Sequence, residues 1–265
     1  MAGTFDLQTV WHQYREGNVG GVIDALTPYA SVDTPDSETH SNQSELLQLL
    51  GLALHDQGKP FEAADTLERA SLLTPISDAA RIALASSYAQ LRRIDLAREL
   101  YLQLALGRRL DAELMLQVAA GLEAIDSPDL AMKVCEWITE RDESVAQAYY
   151  DMGFYSARAG QPLYMTEALV HRALQLDPEN IHYRVGLVSL LIQLDRKEEA
   201  IRALGKIDSL DIEKVECVSC LRRIADLLHE KGEAVLACVC DRRVDVLSEA
   251  KRKRDIHTSD GDVAR

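Results

Sequence analysis

A small residue returns along this chain at an almost constant step. Ala63, Ala97, Ala131, Thr166, Ala200 and Ala234 share one helical context, and their successive separations are 34, 34, 35, 34 and 34 residues. The residue four places after each is Leu67, Tyr101, Cys135, Val170, Leu204 and Cys238. That is the spacing of a buried stripe on one helix face. Pro60, Pro128 and Pro162 keep the same phase and open helices, because proline has no amide hydrogen to lose and a preset φ. A chain with this period builds one supersecondary motif repeatedly. A single copy cannot bury its apolar face, so neighbouring copies must stack.

The stretch from Ser44 to Pro75 reads as one copy of the motif. Leu47, Leu50, Gly51 and Leu54 share a face of its first helix. A turn follows at Gly58-Lys59-Pro60. Ala63, Leu67 and Ala70 line the second helix, and Pro75 closes it. This resembles the tetratricopeptide repeat (TPR), whose period is about 34 residues, with Leu47 and Leu54 standing at the two aromatic positions. Met152-Gly153 and the run ALQLDP from Ala173 to Pro178 carry the same resemblance. Gly51 and Ala63 lack bulk, so the two helices can approach closely. The resemblance implies an all-α, right-handed solenoid of TPR-like helix–turn–helix repeats.

Residues 1–30 read as a degenerate N-terminal helix pair. Leu7, Val10, Trp11 and Tyr14 form one helix, Gly17-Asn18 the turn, and Val22, Ile23 and Leu26 the other, with Asn18 as N-cap. Val22 precedes Ala63 by 41 residues, so the phase breaks, and the polar, aperiodic segment 31–43 reads as a loop. The array of about six helix pairs occupies 44–254. One extra residue falls near the Gln161-Pro162 turn, and a disordered tail takes 255–265.

Composition narrows the function. The chain has 265 residues, 47% hydrophobic and 5% aromatic, with a formal charge of −14. Such an acidic surface argues against general nucleic-acid or anionic-membrane binding. No apolar stretch approaches the roughly 20 residues that span a bilayer, and no signal-peptide pattern is present. Five cysteines scattered in helices read as reduced thiols of a cytoplasmic protein. None of the seven histidines sits in HExxH, and no GxSxG elbow or phosphate-binding Gly loop occurs, so the chain reads as non-enzymatic and without cofactor. Cys217-x2-Cys220 with Cys238-x-Cys240 has some likeness to a zinc site. Residues two apart on a helix point about 200° apart, however, and the repeat phase gives Cys135 and Cys238 core positions. No metal is therefore expected. Arg242, Arg243 and the run Lys251–Arg254 read as a basic face that suits a helix C-terminus.

By resemblance, the first helices of TPR proteins line a concave groove that holds partners. The face one residue off the packing stripe gives Gln48, Leu52 and His55, then Ile82, Ser86 and Gln90, then Leu116, Ala120 and Glu123. Tyr150, Phe154 and Arg158 follow, then His182, Val185 and Ser189, with Trp11 and Tyr14 adding from the N-terminal pair. Tyr150 and Phe154 are the expected aromatic anchors, facing the groove rather than the core. Chaperone-binding TPR domains grip a C-terminal carboxylate with Lys, Asn and Arg; Gln48, Leu52, Ala79, Ile82 and Ala83 supply no such clamp. The expected function is a scaffold or adaptor binding a peptide or helix of a partner protein. The alternative is a dedicated chaperone for a secreted or membrane-complex client. The oligomeric state stays open.

Overall fold

The computed structural model describes residues 6–30, 37–107, 110–205 and 207–260, and every regular element among them is helical. The chain divides into two compact bodies, 1–138 and 139–265. The N-terminal body holds α1 (Leu7–Arg15), α2 (Val19–Leu26), a 3-10 turn at Thr27–Tyr29, α3 (Ser37–Asp56) and α4 (Pro60–Leu73). It continues with α5 (Asp78–Gln90), α6 (Ile94–Leu106), α7 (Ala112–Ala124) and most of α8 (Pro128–Arg141). The C-terminal body holds α9 (Ala146–Arg158), α10 (Leu163–Leu176), α11 (Ile181–Gln193) and α12 (Lys197–Leu204). A short α13 (Ser209–Glu213), α14 (Val218–Lys231) and the long α15 (Ala234–Asp260) complete it. Among the described residues no helix is long and apolar enough to cross a membrane.

The local rules differ between the two helices of a pair. Three first helices start on side-chain caps: Ser77 accepts from the Ala80 amide, Asp111 from Leu114, and Asn180 from His182 and Tyr183. Each cap satisfies amides that have no intrahelical partner. Second helices start instead from a left-handed residue in the intervening turn. These residues are Gly58, Arg92, Asp126, Gly160, Asp195 and Gly232, so the turn recurs after 34, 34, 34, 35 and 37 residues. In every one, the left-handed residue's amide and the next amide return to carbonyls of the finished helix. At the first turn these bonds are Gly58 N to His55 O, 2.9 Å, and Lys59 N to Leu54 O, 3.0 Å. This is the Schellman way of satisfying terminal carbonyls. Three of the six residues are not glycine, which hides the turn's period from a search for Gly.

The stripe read from the sequence is the core stripe in five pairs. Ala63, Ala97, Ala131, Thr166 and Ala200 are all buried, as are Leu67, Tyr101, Cys135, Val170 and Leu204. Thr166 keeps its hydroxyl in the core by hydrogen bonding Ser156 at 3.2 Å. The last pair departs from the expectation. Ala234 and Cys238 are exposed, while Ala237 and Cys240 are buried. The cause is the longer last step: three additional residues enter in the segment containing α13, and the second-helix register moves by the same number. Cys238 therefore has no core position, and Cys240 takes one.

Two other expectations change. Helix α3 begins at Ser37, so 37–43 is helical rather than loop, and 31–36 lies outside the described residues. Extending a formed helix costs far less than nucleating one, so the run through Leu46, Leu47, Leu49 and Leu50 carries the helix back through a segment with no apolar face. Gln43 helps by donating to the Tyr29 carbonyl at 3.1 Å. At the other end α15 runs on to Asp260, through the first part of the expected tail; 261–265 lies outside the described residues. Pro162, expected to open a helix as Pro60 does, is instead the N-cap of α10, and the extra residue of that pair sits in this turn.

Candidate binding clefts

In the N-terminal body, α3, α5 and α7 contribute a cleft of about 680 Å³. Of the expected groove residues it takes His55, Ile82, Ser86, Gln90 and Ala120, together with Tyr101, Gln117, Gly121 and Ala124. Gly121 makes the cleft possible. A Cβ there would lie 2.2 Å from the Tyr101 Cζ, so only glycine lets that ring lie against α7. Tyr101 is almost fully buried, and burial pushes its phenol up to about 12. His55 meets Asp56 through Nδ1 at 3.3 Å, and its Nε2 has no hydrogen-bond partner among the described residues.

Several expected groove residues of this body have contacts within it. Leu52 is buried with Leu67 and Leu84, and Ile82 is buried although it reaches the cleft. Gln48 accepts from the Ser77 amide at 2.8 Å and donates to Ser44, tying one helix pair to the next. Leu116 and Glu123 are half-buried. Trp11 and Tyr14 pack edge to face at 5.9 Å. They donate to Glu45 at 3.1 Å and Asp56 at 2.6 Å, which pins the first helix pair to α3.

The C-terminal body has a second cleft, of about 350 Å³, built on α9, α10, α11 and the start of α14. It gathers Tyr150, Phe154, Arg158 and Ser189 from the expected set, with Leu163, Val170, Gly186, Cys217, Cys220 and Arg223. The two aromatic anchors separate. Phe154 is 51% exposed on the wall. Tyr150 stacks on Tyr183 at 4.7 Å and packs against the core of this body, and its burial raises the phenol pKa. Tyr150 therefore belongs to the packing, and only its edge reaches the cleft. Val185 and Ser189 are buried, and His182 is exposed. Ser189 accepts from Arg223 at 3.0 Å, joining α11 to α14.

Beside the cleft, the Tyr183 hydroxyl donates to Gln147 at 3.0 Å, and Gln147 donates to Asp151 at 2.6 Å. Burial raises the Asp151 carboxyl to about 6, against the lowering effect of the Gln147 amide. The contribution of α14 is absent from the sequence-based set. The signal for it is the CxxC spacing of Cys217 and Cys220, which falls at the start of α14. Among the described residues no group of three or more His, Cys, Asp and Glu is placed to hold a metal ion.

No family model matches the sequence, and no curated protein does. Solved structures do match the fold. A tetratricopeptide repeat protein from Parabacteroides merdae superposes with a TM-score of 0.67 at 15% identity over 91% of each chain. PilF of Pseudomonas aeruginosa gives 0.60 at 15% identity, covering 84% of this chain and 99% of its own. MamA from Desulfovibrio magneticus gives 0.52 at 21% identity, covering 62% and 92%. At these identities the likeness shows the fold, which is all-α: a TPR-type solenoid of helix–turn–helix repeats.

Proposed function

We propose that this chain is a non-enzymatic protein-interaction module, and that the cleft of its C-terminal body holds an apolar peptide or helical segment of a partner protein. One observation carries the reading. Phe154 stands half out of α9 on the cleft wall, while its neighbour Tyr155 is buried. A large ring left in water beside a mostly apolar cleft is the arrangement of an unfilled anchor site. The cleft volume lies within the range of about 300–1,000 Å³ over which proteins hold ligands. Arg223 is among the residues lining the same cleft and lends it positive charge, which favours a partner segment with an acidic residue next to its apolar anchor.

Affinity purification with quantitative mass spectrometry tests this on the full chain and on Phe154→Ala. Truncating a buried aromatic anchor costs about 2 kcal/mol, or roughly a thirtyfold loss of binding. Capture of the specific partner should fall by that factor, with helicity and melting temperature kept. Unchanged capture places binding elsewhere. A partner released folded supports an adaptor, and one released unfolded supports a chaperone.

A further inference from the structure

Cys217 and Cys220 come together at the entrance to α14. Cys217 is the N-cap, in extended backbone, and its Sγ accepts from the Cys220 amide at 3.3 Å. The two sulfurs are 2.7 Å apart, and the Ser219 hydroxyl lies 3.3 Å from the Cys217 sulfur. A disulfide bond is roughly 2.05 Å long, so closing this pair moves a sulfur by less than about 1 Å. Cys217 is exposed and Cys220 half-buried, and both reach the cleft, so an incoming sulfur meets Cys217 first. The remaining cysteines differ: Cys135 and Cys240 are buried in cores, and Cys238 is exposed on α15.

From this geometry we infer that Cys217 and Cys220 form a thiol–disulfide exchange site, with Cys217 as nucleophile, Cys220 as resolving thiol, and disulfides that reach the cleft as substrate. The electrostatics agree with the roles. The Cys220 thiol donating to Cys217, with the Ser219 hydroxyl and the helix amides, holds the Cys217 pKa below the ordinary thiol range. The same hydrogen bond, with burial, raises Cys220, while the nearby Arg223 opposes that rise. The positive end of α14 favours a thiolate at the N-cap.

The exchange balances. The Cys217 thiolate attacks one sulfur of R–S–S–R′, the external S–S bond breaks, and R′S⁻ leaves and takes a proton from water. Cys217 now carries a mixed disulfide with R. Cys220 gives up its proton, its thiolate attacks the Cys217 sulfur, and RS⁻ leaves and is protonated. Two protein thiols are oxidised by two electrons, and the external disulfide is reduced to two thiols. An excess of external thiol runs the sequence backwards. The inference is independent of the cleft holding a peptide.

Oxidised glutathione is the probe. Trypsin cuts after Lys214 and Arg222, so residues 215–222 form one peptide holding both cysteines. After treatment of the full chain that peptide should lose two hydrogens and carry no glutathione. Cys220→Ser should accumulate one glutathione on Cys217, and Cys217→Ser should react at least about tenfold more slowly. In the reduced wild-type chain, where Cys220 still donates to Cys217, the rate of Cys217 alkylation by iodoacetamide should be nearly flat from about pH 6 to 8. An unperturbed thiol of pKa about 8.5 rises roughly 75-fold over that range. A wild-type peptide that stays reduced or ends as a stable glutathione adduct overturns the assignment. So do single variants that react alike, or a Cys217 profile that climbs like that of a free thiol.

Discussion

Gly186→Ala tests the packing that supports the C-terminal cleft. Gly186 lies inside α11, facing the ring of Tyr150. A Cβ at this position would fall 2.5 Å from the Tyr150 Oη, 2.7 Å from Cε2 and 3.0 Å from Cζ. Two effects oppose each other. Replacing a helical glycine by alanine gains about 1 kcal/mol of helix propensity. Forcing a methyl into a filled site costs about 1–3 kcal/mol. The second effect wins, because the ring cannot simply swing aside: it is stacked on Tyr183 at 4.7 Å. The expected outcome is a net loss of about 1 kcal/mol, a fall of roughly 2–4 °C in melting temperature. Gly20→Ala is the control. Gly20 is also helical and has nothing within 4 Å of the new Cβ, so that variant should be stabilised by about 0.5–1 kcal/mol. Thermal and urea melts followed by far-ultraviolet circular dichroism read both. In a Tyr150→Leu background the clash disappears, and Gly186→Ala should become neutral or stabilising. If Gly186→Ala stabilises the wild-type chain as much as Gly20→Ala does, the close ring contact is not a constraint and the reasoning fails.

Other outcomes follow from single side chains. Asp151 has a folded pKa of about 6, above its unfolded value of about 3.9. The folded chain therefore binds more protons between those values, and stability is lost as pH rises from about 4 to 6. Asp151→Asn keeps an acceptor for Gln147 and cannot titrate. It should match wild type near pH 4 and exceed it at pH 7 by up to about 3 kcal/mol, read from melts across that range. Cys135→Ser puts a hydroxyl in the core and should cost about 1–3 kcal/mol, whereas Cys238→Ser, on an exposed position, should shift the melt by less than about 0.5 kcal/mol. The opposite ranking would contradict the register of the last helix pair. Tyr150→Ala, unlike Phe154→Ala, should lower the melting temperature measurably, since it removes a packed and stacked ring.

The period of small residues was enough to specify antiparallel helix pairs from Ala63 to Ala200. Each mark lies on its own helix at a fixed distance from that helix's start, and burial of such a face is a local consequence of 3.6-residue periodicity. Asn18 as N-cap and the extra residue near Pro162 were legible for the same reason: both concern bonds closed within a few residues. The last pair was not legible, because its register depends on how many residues the segment around α13 uses, and no periodicity runs through that segment. The site was only half legible. Tyr150 and Phe154 are one helical turn apart and look equivalent along α9. Their fates diverge because Tyr183 and Gly186, more than thirty residues further on, receive one ring and leave the other in water. The pairing of Arg223 with Ser189 likewise joins positions 34 residues apart. Helical spacing states which residues share a face. Whether that face meets solvent, a neighbouring ring or a paired thiol is decided by side chains that the next helices bring to it, and only the packed structure supplies those.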